Sequence, residues 1–264
     1  MHFVVCIKQV PNTTKVRIDP ETNTLVRAGV ESIVNPFDEN ALEMALVLKE
    51  QNPASKVTAV CMGPPQAADA LKECVSRGVD GVLLLCDRAV AGSDTWATSY
   101  AIARAIQSLP EPADLILFGK QAIDGDTAQV GPGVAEHLDL PCITFVRAAK
   151  IAEPGRIVLE RVWEDGWEEI VSPLPAAVTV LKEANVPRLP SLRGKMAAKK
   201  MQIPLTTAAD IGAEAEKIGL KASPTRVVRI FSPPQKTGGE KWTGLSGEEA
   251  GAKLAAALKD RNII

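Results

Sequence analysis

The sequence predicts a doubly wound α/β domain built on a mainly parallel sheet, with a C-terminal extension, or arm, beyond it. Three observations carry this. Short runs rich in Val, Leu and Ile alternate with segments of helical periodicity as far as Lys150. One of those runs, Leu115 to Phe118, leads straight into a glycine-containing loop and then a helical segment, the arrangement that binds nucleotides at the carboxyl edge of a parallel sheet. Past residue 185 the core-like pattern fades. The chain divides on this reading into a nucleotide-binding core over 1–185 and an extension over 186–264.

Size and charge bound what the fold can do. The 264 residues are 46% hydrophobic but only 4% aromatic, so a sizeable core is built from Val, Leu, Ile and Ala. A net charge of −2 gives no reason to expect nucleic acid or an anionic membrane as partner. No apolar run approaches the roughly 20 residues of a membrane span. Met1 to Lys8 lacks a basic region and a cleavage site and reads as a first strand rather than a signal peptide. The five cysteines form no C-x-x-C pair. They read as free thiols of a reducing compartment, which places the protein in the cytoplasm. The two histidines, His2 and His137, lie near no cysteine pair, so no metal site is expected.

In chain order, Phe3 to Val10 is a strand broken at its end by Lys8 and Gln9. A polar excursion over 13–34 places Val16, Ile18, Leu25 and Val26 for a short hairpin. Asn35-Pro-Phe-Asp38 launches a helix, with Asp38 as a candidate cap and apolar residues at helical spacing to Gln51. Lys56 to Cys61 and Gly81 to Cys86 are strands, separated by a helix over Ala67 to Arg77 that Gly78 closes. A helix over Asp94 to Leu109 and the strand Asp114 to Phe118 follow. The helix after the loop ends at Leu138, and Cys142 to Arg147 is a strand. The rhythm then changes. Arg156 to Val162 and Trp167 to Val171 flank Glu164-Asp-Gly166 as a hairpin. Pro175 to Leu181 is the last strong strand. A helix is expected over Ala208 to Ile218, a strand over Val227 to Phe231, and a capping box at Ser246-Gly-Glu-Glu249 opens a final helix through Leu258. The four tryptophans read as core or hairpin packing.

Chemistry concentrates in the loop Gly119-Lys-Gln-Ala-Ile-Asp-Gly-Asp-Thr-Ala-Gln-Val-Gly-Pro-Gly133. Gly119 turns the chain off the strand. Gly125, Gly131 and Gly133 can take positive φ or admit a close ligand. Amides of the loop and of the first helical turn can face an anion. The loop is neither a P-loop nor a G-x-G-x-x-G fingerprint, and Asp124 and Asp126 repel phosphate unless they face ribose, solvent or a cation. From the pattern alone, a structural turn and a nucleotide loop both stay open. Nothing in the chain offers a nucleophile–base pair, so it does not read as a free-standing enzyme.

The wording of that loop resembles the signature loop of the electron transfer flavoprotein β subunit. Three further segments resemble the same family in the right order: Val5-Cys-Ile-Lys-Gln-Val10, Asn35-Pro-Phe-Asp38, and Pro187-Arg-Leu-Pro-Ser-Leu-Arg-Gly-Lys-Met-Ala-Ala-Lys-Lys200. The resemblance implies a heterodimer with a flavin-carrying α subunit and a Rossmann-like core that holds an adenine nucleotide, either AMP or a second FAD. Carried over, Cys6, Asn35, Pro36, Phe37, Asp38 and Ala59 line the adenosine. Gly119, Lys120, Gln121, Ala122, Ile123, Asp124, Gly125, Asp126, Thr127, Ala128, Gln129 and Val130 wrap ribose and phosphate. The chemistry agrees: backbone groups of Cys6 and Ala59 can pair with adenine, Asp124 or Asp126 can accept from a ribose hydroxyl, and Thr127 and Gln129 can donate to phosphate. For Phe37 and Asp38 a helix staple and cap is the competing reading, and for Cys6 it is core filling.

The fourth segment resembles the family's partner-recognition loop. There Leu192 is the apolar anchor, and Arg193, Lys195, Lys199 and Lys200 steer an acidic partner such as an acyl-CoA dehydrogenase. Housekeeping members carry Asp-Asp-Asp where this chain has Asp124-Gly-Asp126. The present wording resembles members that bind FAD in both subunits and split the electron pair of NADH between two acceptors, that is, electron bifurcation. Two readings from other classes remain: a non-redox adenine-nucleotide-binding regulatory module, and an ATP-dependent ligase or pyrophosphatase of related fold. The second wants a pyrophosphate-gripping loop after the first strand, of which Val10-Pro-Asn-Thr-Thr14 is a poor version.

Overall fold

The fold was analysed in a computed structural model that describes residues 1–12, 17–18, 25–26, 32–228 and 238–264. The first strand, β1 (His2–Ile7), is buried along its whole length, with alternate residues in two different cores. Phe3, Val5 and Ile7 face one helical layer, and Val4 and Cys6 face the other. This is how a central parallel strand reads, apolar on both faces. Two short pairings follow: β2 (Gln9–Pro11) with β5 (Ser32–Val34), and β3 (Arg17–Ile18) with β4 (Leu25–Val26), both antiparallel. The second pairing is the expected hairpin; Val16 lies outside the described residues.

Next come α1 (Pro36–Gln51), β6 (Lys56–Met62), α2 (Ala68–Arg77), β7 (Gly81–Leu85), α3 (Thr95–Gln107), β8 (Leu115–Gly119), α4 (Val130–His137) and β9 (Cys142–Glu153). The chain then runs through β10 (Arg156–Trp163), β11 (Gly166–Pro173) and β12 (Ala176–Val180). The remaining elements are α5 (Leu192–Lys200), β13 (Leu205–Thr206), α6 (Gly219–Ala222) and α7 (Gly247–Asp260).

One nine-stranded sheet organises the core, in the order β11-β10-β9-β12-β8-β1-β6-β7-β13. All its pairings are parallel except β9–β10 and β10–β11. The strand order turns back at β1, which pairs with β6 on one side and β8 on the other. The crevice between the carboxyl ends of β1 and β8 is therefore the topological switch point, where open α/β sheets take their ligands. The α/β doubly wound class expected from the sequence is the fold observed.

The structure departs from the expectations in several places. β9 continues to Glu153, past the expected change of rhythm at Lys150, and joins the hairpin as a third antiparallel strand. Ala208 to Ile218 is not a helix. Thr207 and Asp210 bond to each other's backbone and side chain, Ala208 donates to Asp87, and Gly212 lies at φ 61. Local side-chain bonds thus compete with the helix ladder. Val227 and Val228 are not in a strand, and the rest of that expected strand lies outside the described residues. Of the two readings of the tryptophans, hairpin packing holds for Trp163 and Trp167, whereas core packing is not observed. Trp96, Trp163 and Trp167 are each half or more exposed, and the last two stack under the guanidinium groups of Arg161 and Arg147 on the hairpin.

The compact unit runs from Met1 to Val228, so 186–228 packs with the core rather than leaving it at 185. α5 seats on α2 because Gly194 has no side chain: a β-carbon there would collide with the backbone of Ser76. Ala198 is buried in the same contact. A second unit spans Arg229–Ile264. Within it Ser246 and Glu249 form the expected capping box, and no residue of α7 is buried. No helix among the described residues is long and apolar enough to cross a membrane.

Candidate functional site

The first strand, the head of α1 and the start of the loop after β8 meet at the switch-point crevice. Pro36 occupies the first helical position of α1, where a missing N–H costs nothing, and Asn35 is the N-cap residue. Asp38 is therefore not the cap; it sits inside the first turn, 6% exposed. Its carboxylate accepts from the backbone N–H of Lys8 at 2.7 Å and from Asn35 Nδ2 at 2.9 Å, and it lies directly against Gly119. Burial pushes its pKa up to about 7, against the downward pull of these donors and of the Lys8 charge.

Asn35 is the second hub. Its side chain donates to the carbonyl of Gln121 at 2.9 Å and accepts from the N–H of Ile123 at 3.1 Å. Its own N–H donates to the carbonyl of Lys8 at 2.9 Å. The buried amide thus pins the loop to α1 and α1 to the end of β1. Lys8 then reaches across the crevice to Asp124, 2.6 Å away. Lys8 was not among the residues singled out from the sequence, although its place as the first charge after an apolar strand was the available signal.

The left-handed backbone of the loop falls on residues other than its glycines. None of Gly119, Gly125, Gly131 and Gly133 has positive φ; Asp126 and Ala128 do, each at 55°. For a non-glycine residue that conformation costs about 1–2 kcal/mol, the kind of strain that gathers where a ligand is gripped. Asp126 donates its N–H to the carbonyl of Ala122 at 2.8 Å and accepts from the Gln121 side chain. Gln129 accepts from the hydroxyl of Thr95 at 2.9 Å, which ties the far end of the loop to α3. Lys120 donates its N–H to Val180 and holds its ammonium over the Phe145 ring. Thr127 is exposed, and its side chain makes no bond among the described residues. No side chain caps the N-terminus of α4.

The structure brings Asn35, Pro36, half-buried Phe37, Asp38, Gly119 and the loop through Val130 to one edge. Cys6 lies close enough to Asp38 to feel its charge, and burial foremost pushes its thiol up. Ala59 is fully buried between Val5 and Val82 in the ladder and offers no side-chain surface to the crevice. The thiols of Cys6, Cys61, Cys74, Cys86 and Cys142 are all free.

A second surface lies on α5. Leu192 is 78% exposed and Arg193, Lys195, Lys199 and Lys200 are exposed beside it. The segment leading into α5 is fastened by Arg188, whose guanidinium holds Glu43 at 2.9 Å and Glu50 at 2.5 Å. Burial works against the charge of Glu43, yet the bonds from Arg188 hold its carboxyl below the ordinary range.

Comparison with known proteins agrees with this geometry. The family profile described as "Electron transfer flavoprotein domain" matches residues 22–211. The chain is 48% identical, over the whole of both chains, to "Caffeyl-CoA reductase-Etf complex subunit CarD" of Acetobacterium woodii. It is 48% identical to "Electron transfer flavoprotein subunit beta" of Megasphaera elsdenii over 90% of each chain. It is 44% identical to "Protein FixA" of Azorhizobium caulinodans, over 88% of this chain and 85% of that one. With the profile covering most of the chain and a relative matched from end to end, this protein belongs to the electron transfer flavoprotein family, among its β subunits.

Proposed function

We propose that this chain is the β half of a two-subunit electron carrier, that the crevice between β1 and β8 holds FAD, and that the assembled complex bifurcates the electrons of NADH. The observation that carries this is the junction of Lys8, Asn35 and Asp38 with the backbone of Gln121 and Ile123, which fixes a strained, donor-rich loop at the switch point. The donor set fits a dinucleotide. Lys8, Lys120 and Thr127 offer polar ends, the loop offers backbone amides, and the N-terminus of α4 is uncapped by any side chain. Gly125 has nothing within 4 Å of where a β-carbon would stand, so this side of the loop is open to a larger ligand. A bound flavin supplies the redox chemistry, which no side chain of this site can supply. The residues of the chain bind the adenosine and the pyrophosphate and keep the loop closed on them.

The name of the Acetobacterium woodii relative places that protein in a reductase–flavoprotein complex, which supports a similar assembly here: an α subunit for the arm, and a flavoprotein dehydrogenase of the acyl-CoA type for α5. A second reading keeps AMP in the crevice as a structural nucleotide. The carboxylates of Asp124 and Asp126 favour it, because both stand in the loop that would carry the extra phosphate. The test is to co-express the chain with its α subunit, purify gently, and extract nucleotide from the complex. Flavin in the extract is expected. A colourless complex that yields no flavin contradicts the electron-carrier reading.

A further inference from the structure

Asp124 and Asp126 stand against a phosphate in this loop unless each is turned to another partner. The chain supplies both partners. Asp126 accepts from the Gln121 side chain, and Asp124 accepts from Lys8 Nζ at 2.6 Å. Lys8 is held by its backbone just past β1: its N–H donates to Asp38 and its carbonyl accepts from the N–H of Asn35. The Asn35 side chain fixes Gln121 and Ile123, the residue before Asp124. Both members of the ion pair are therefore anchored, one on the strand side of the crevice and one on the loop side. An ammonium carries three donors, and Asp124 takes one. The Lys8 side chain is 47% exposed, so its head is accessible to a second oxygen. Lys120, the cation within the loop itself, is turned to the Phe145 ring instead.

We propose that Lys8 is a specificity-determining residue of the crevice: it bridges Asp124 and a phosphate oxygen of the ligand, so that the crevice takes phosphorylated adenine nucleotides in preference to the bare nucleoside. This rests on the reading of the crevice as the nucleotide site and assigns the charge selectivity of that site to one pair. Asp124 is then a partner of Lys8 rather than of a ribose hydroxyl. Removing the ammonium has two effects of the same sign on an anionic ligand: an attraction is lost, and the carboxylate of Asp124 is left to repel. Neither effect reaches a ligand without charge. The pair contributes little to the fold, because both side chains are partly exposed to water. Its weight falls on the ligand, which separates this role from a structural one.

Titration calorimetry of the nucleotide-free full chain with adenosine, AMP and FAD tests this. The unmodified chain is expected to bind AMP and FAD more tightly than adenosine, with an advantage that shrinks as salt rises. Lys8→Met is expected to weaken AMP and FAD about tenfold and to leave adenosine unchanged. Adding Asp124→Asn to Lys8→Met is expected to restore part of the loss, because the unmasked carboxylate is then gone. An AMP affinity in the unmodified chain no better than that of adenosine, or indifferent to salt, overturns the proposal whether or not the variants fold. An equal loss of adenosine and AMP in Lys8→Met also overturns it, since Lys8 then only shapes the crevice. Binding of AMP or FAD that Lys8→Met does not weaken rejects the role of Lys8 and leaves the nucleotide site standing. Failure of all three ligands to bind the unmodified chain rejects the nucleotide site and this proposal with it.

Discussion

A β-carbon on Gly119 would stand 2.7 Å from the backbone nitrogen of Asp38 and 2.6 Å from the carbonyl carbon of Phe37. Both obstacles are backbone, so no rotamer change relieves them. Gly119→Ala therefore has to push the loop away from α1, at about 1–3 kcal/mol. Gly125, six residues on, has open space and an unstrained φ. Gly125→Ala is expected to change stability by no more than about 0.5 kcal/mol. Urea denaturation midpoints of the two variants check this, and equal losses would refute it.

The buried Asp38 sets a pH dependence of global stability. Its pKa is raised from 3.8 to about 7 in the folded chain. A raised carboxyl pKa gives stability that is complete below the unfolded value and is lost as pH rises through the folded one. Between about pH 4 and 8, the stability of the chain relative to Asp38→Asn is expected to fall, by about 4 kcal/mol at most. The comparison of chemical denaturation curves across that range decides it. A difference that stays constant, or grows with pH, contradicts the burial of this carboxylate.

Some of this was legible in the sequence, and the reasons are physical. The central strands were readable because burial on both faces writes continuous apolar runs, as in Phe3 to Ile7 and Leu115 to Phe118. The site's edge was readable because the Asn35 amide both donates to and accepts from the backbone of the loop, which calls for an amide side chain at that position. The role of Asp38 was not readable. A carboxylate near a helix start suggests a cap, and only the placement of Pro36 at the first helical position moves Asp38 into the turn. The left-handed backbone at Asp126 and Ala128 was hidden too, since glycines nearby were the natural candidates. β13 has two residues, Leu205 and Thr206, and a pairing that short leaves no periodicity to read.

The proposed docking role of α5 is open to a direct test. Leu192→Ala, or reversal of charge at Lys199 and Lys200, is expected to slow electron transfer to the dehydrogenase and leave bound flavin unchanged. The charge effect is expected to shrink as salt rises, because exposed charges are screened over about 8 Å at physiological ionic strength. Rapid-mixing kinetics at two salt concentrations separate the two contributions. Unchanged transfer in both variants rejects α5 as the docking element.

The proposed role of the arm in assembly can be tested by truncation. α7 buries no residue within its own unit, and Leu254 is 52% exposed. Leu254 and Leu258 lie four residues apart on one helical face, beside the small residues Ala255 and Ala257. Ending the chain at Pro234, which lies outside the described residues, is expected to leave a folded core that no longer co-purifies with the α subunit. Normal co-purification of the truncated chain contradicts this.

The central claim is that the β1–β8 crevice holds a second flavin. The most direct measurement is the nucleotide content of the complex with its α subunit, purified with excess FAD, together with its absorbance on adding NADH. Two FAD per heterodimer, no AMP, and bleaching by NADH are the predicted result. One FAD with one AMP, and no bleaching by NADH, would contradict it.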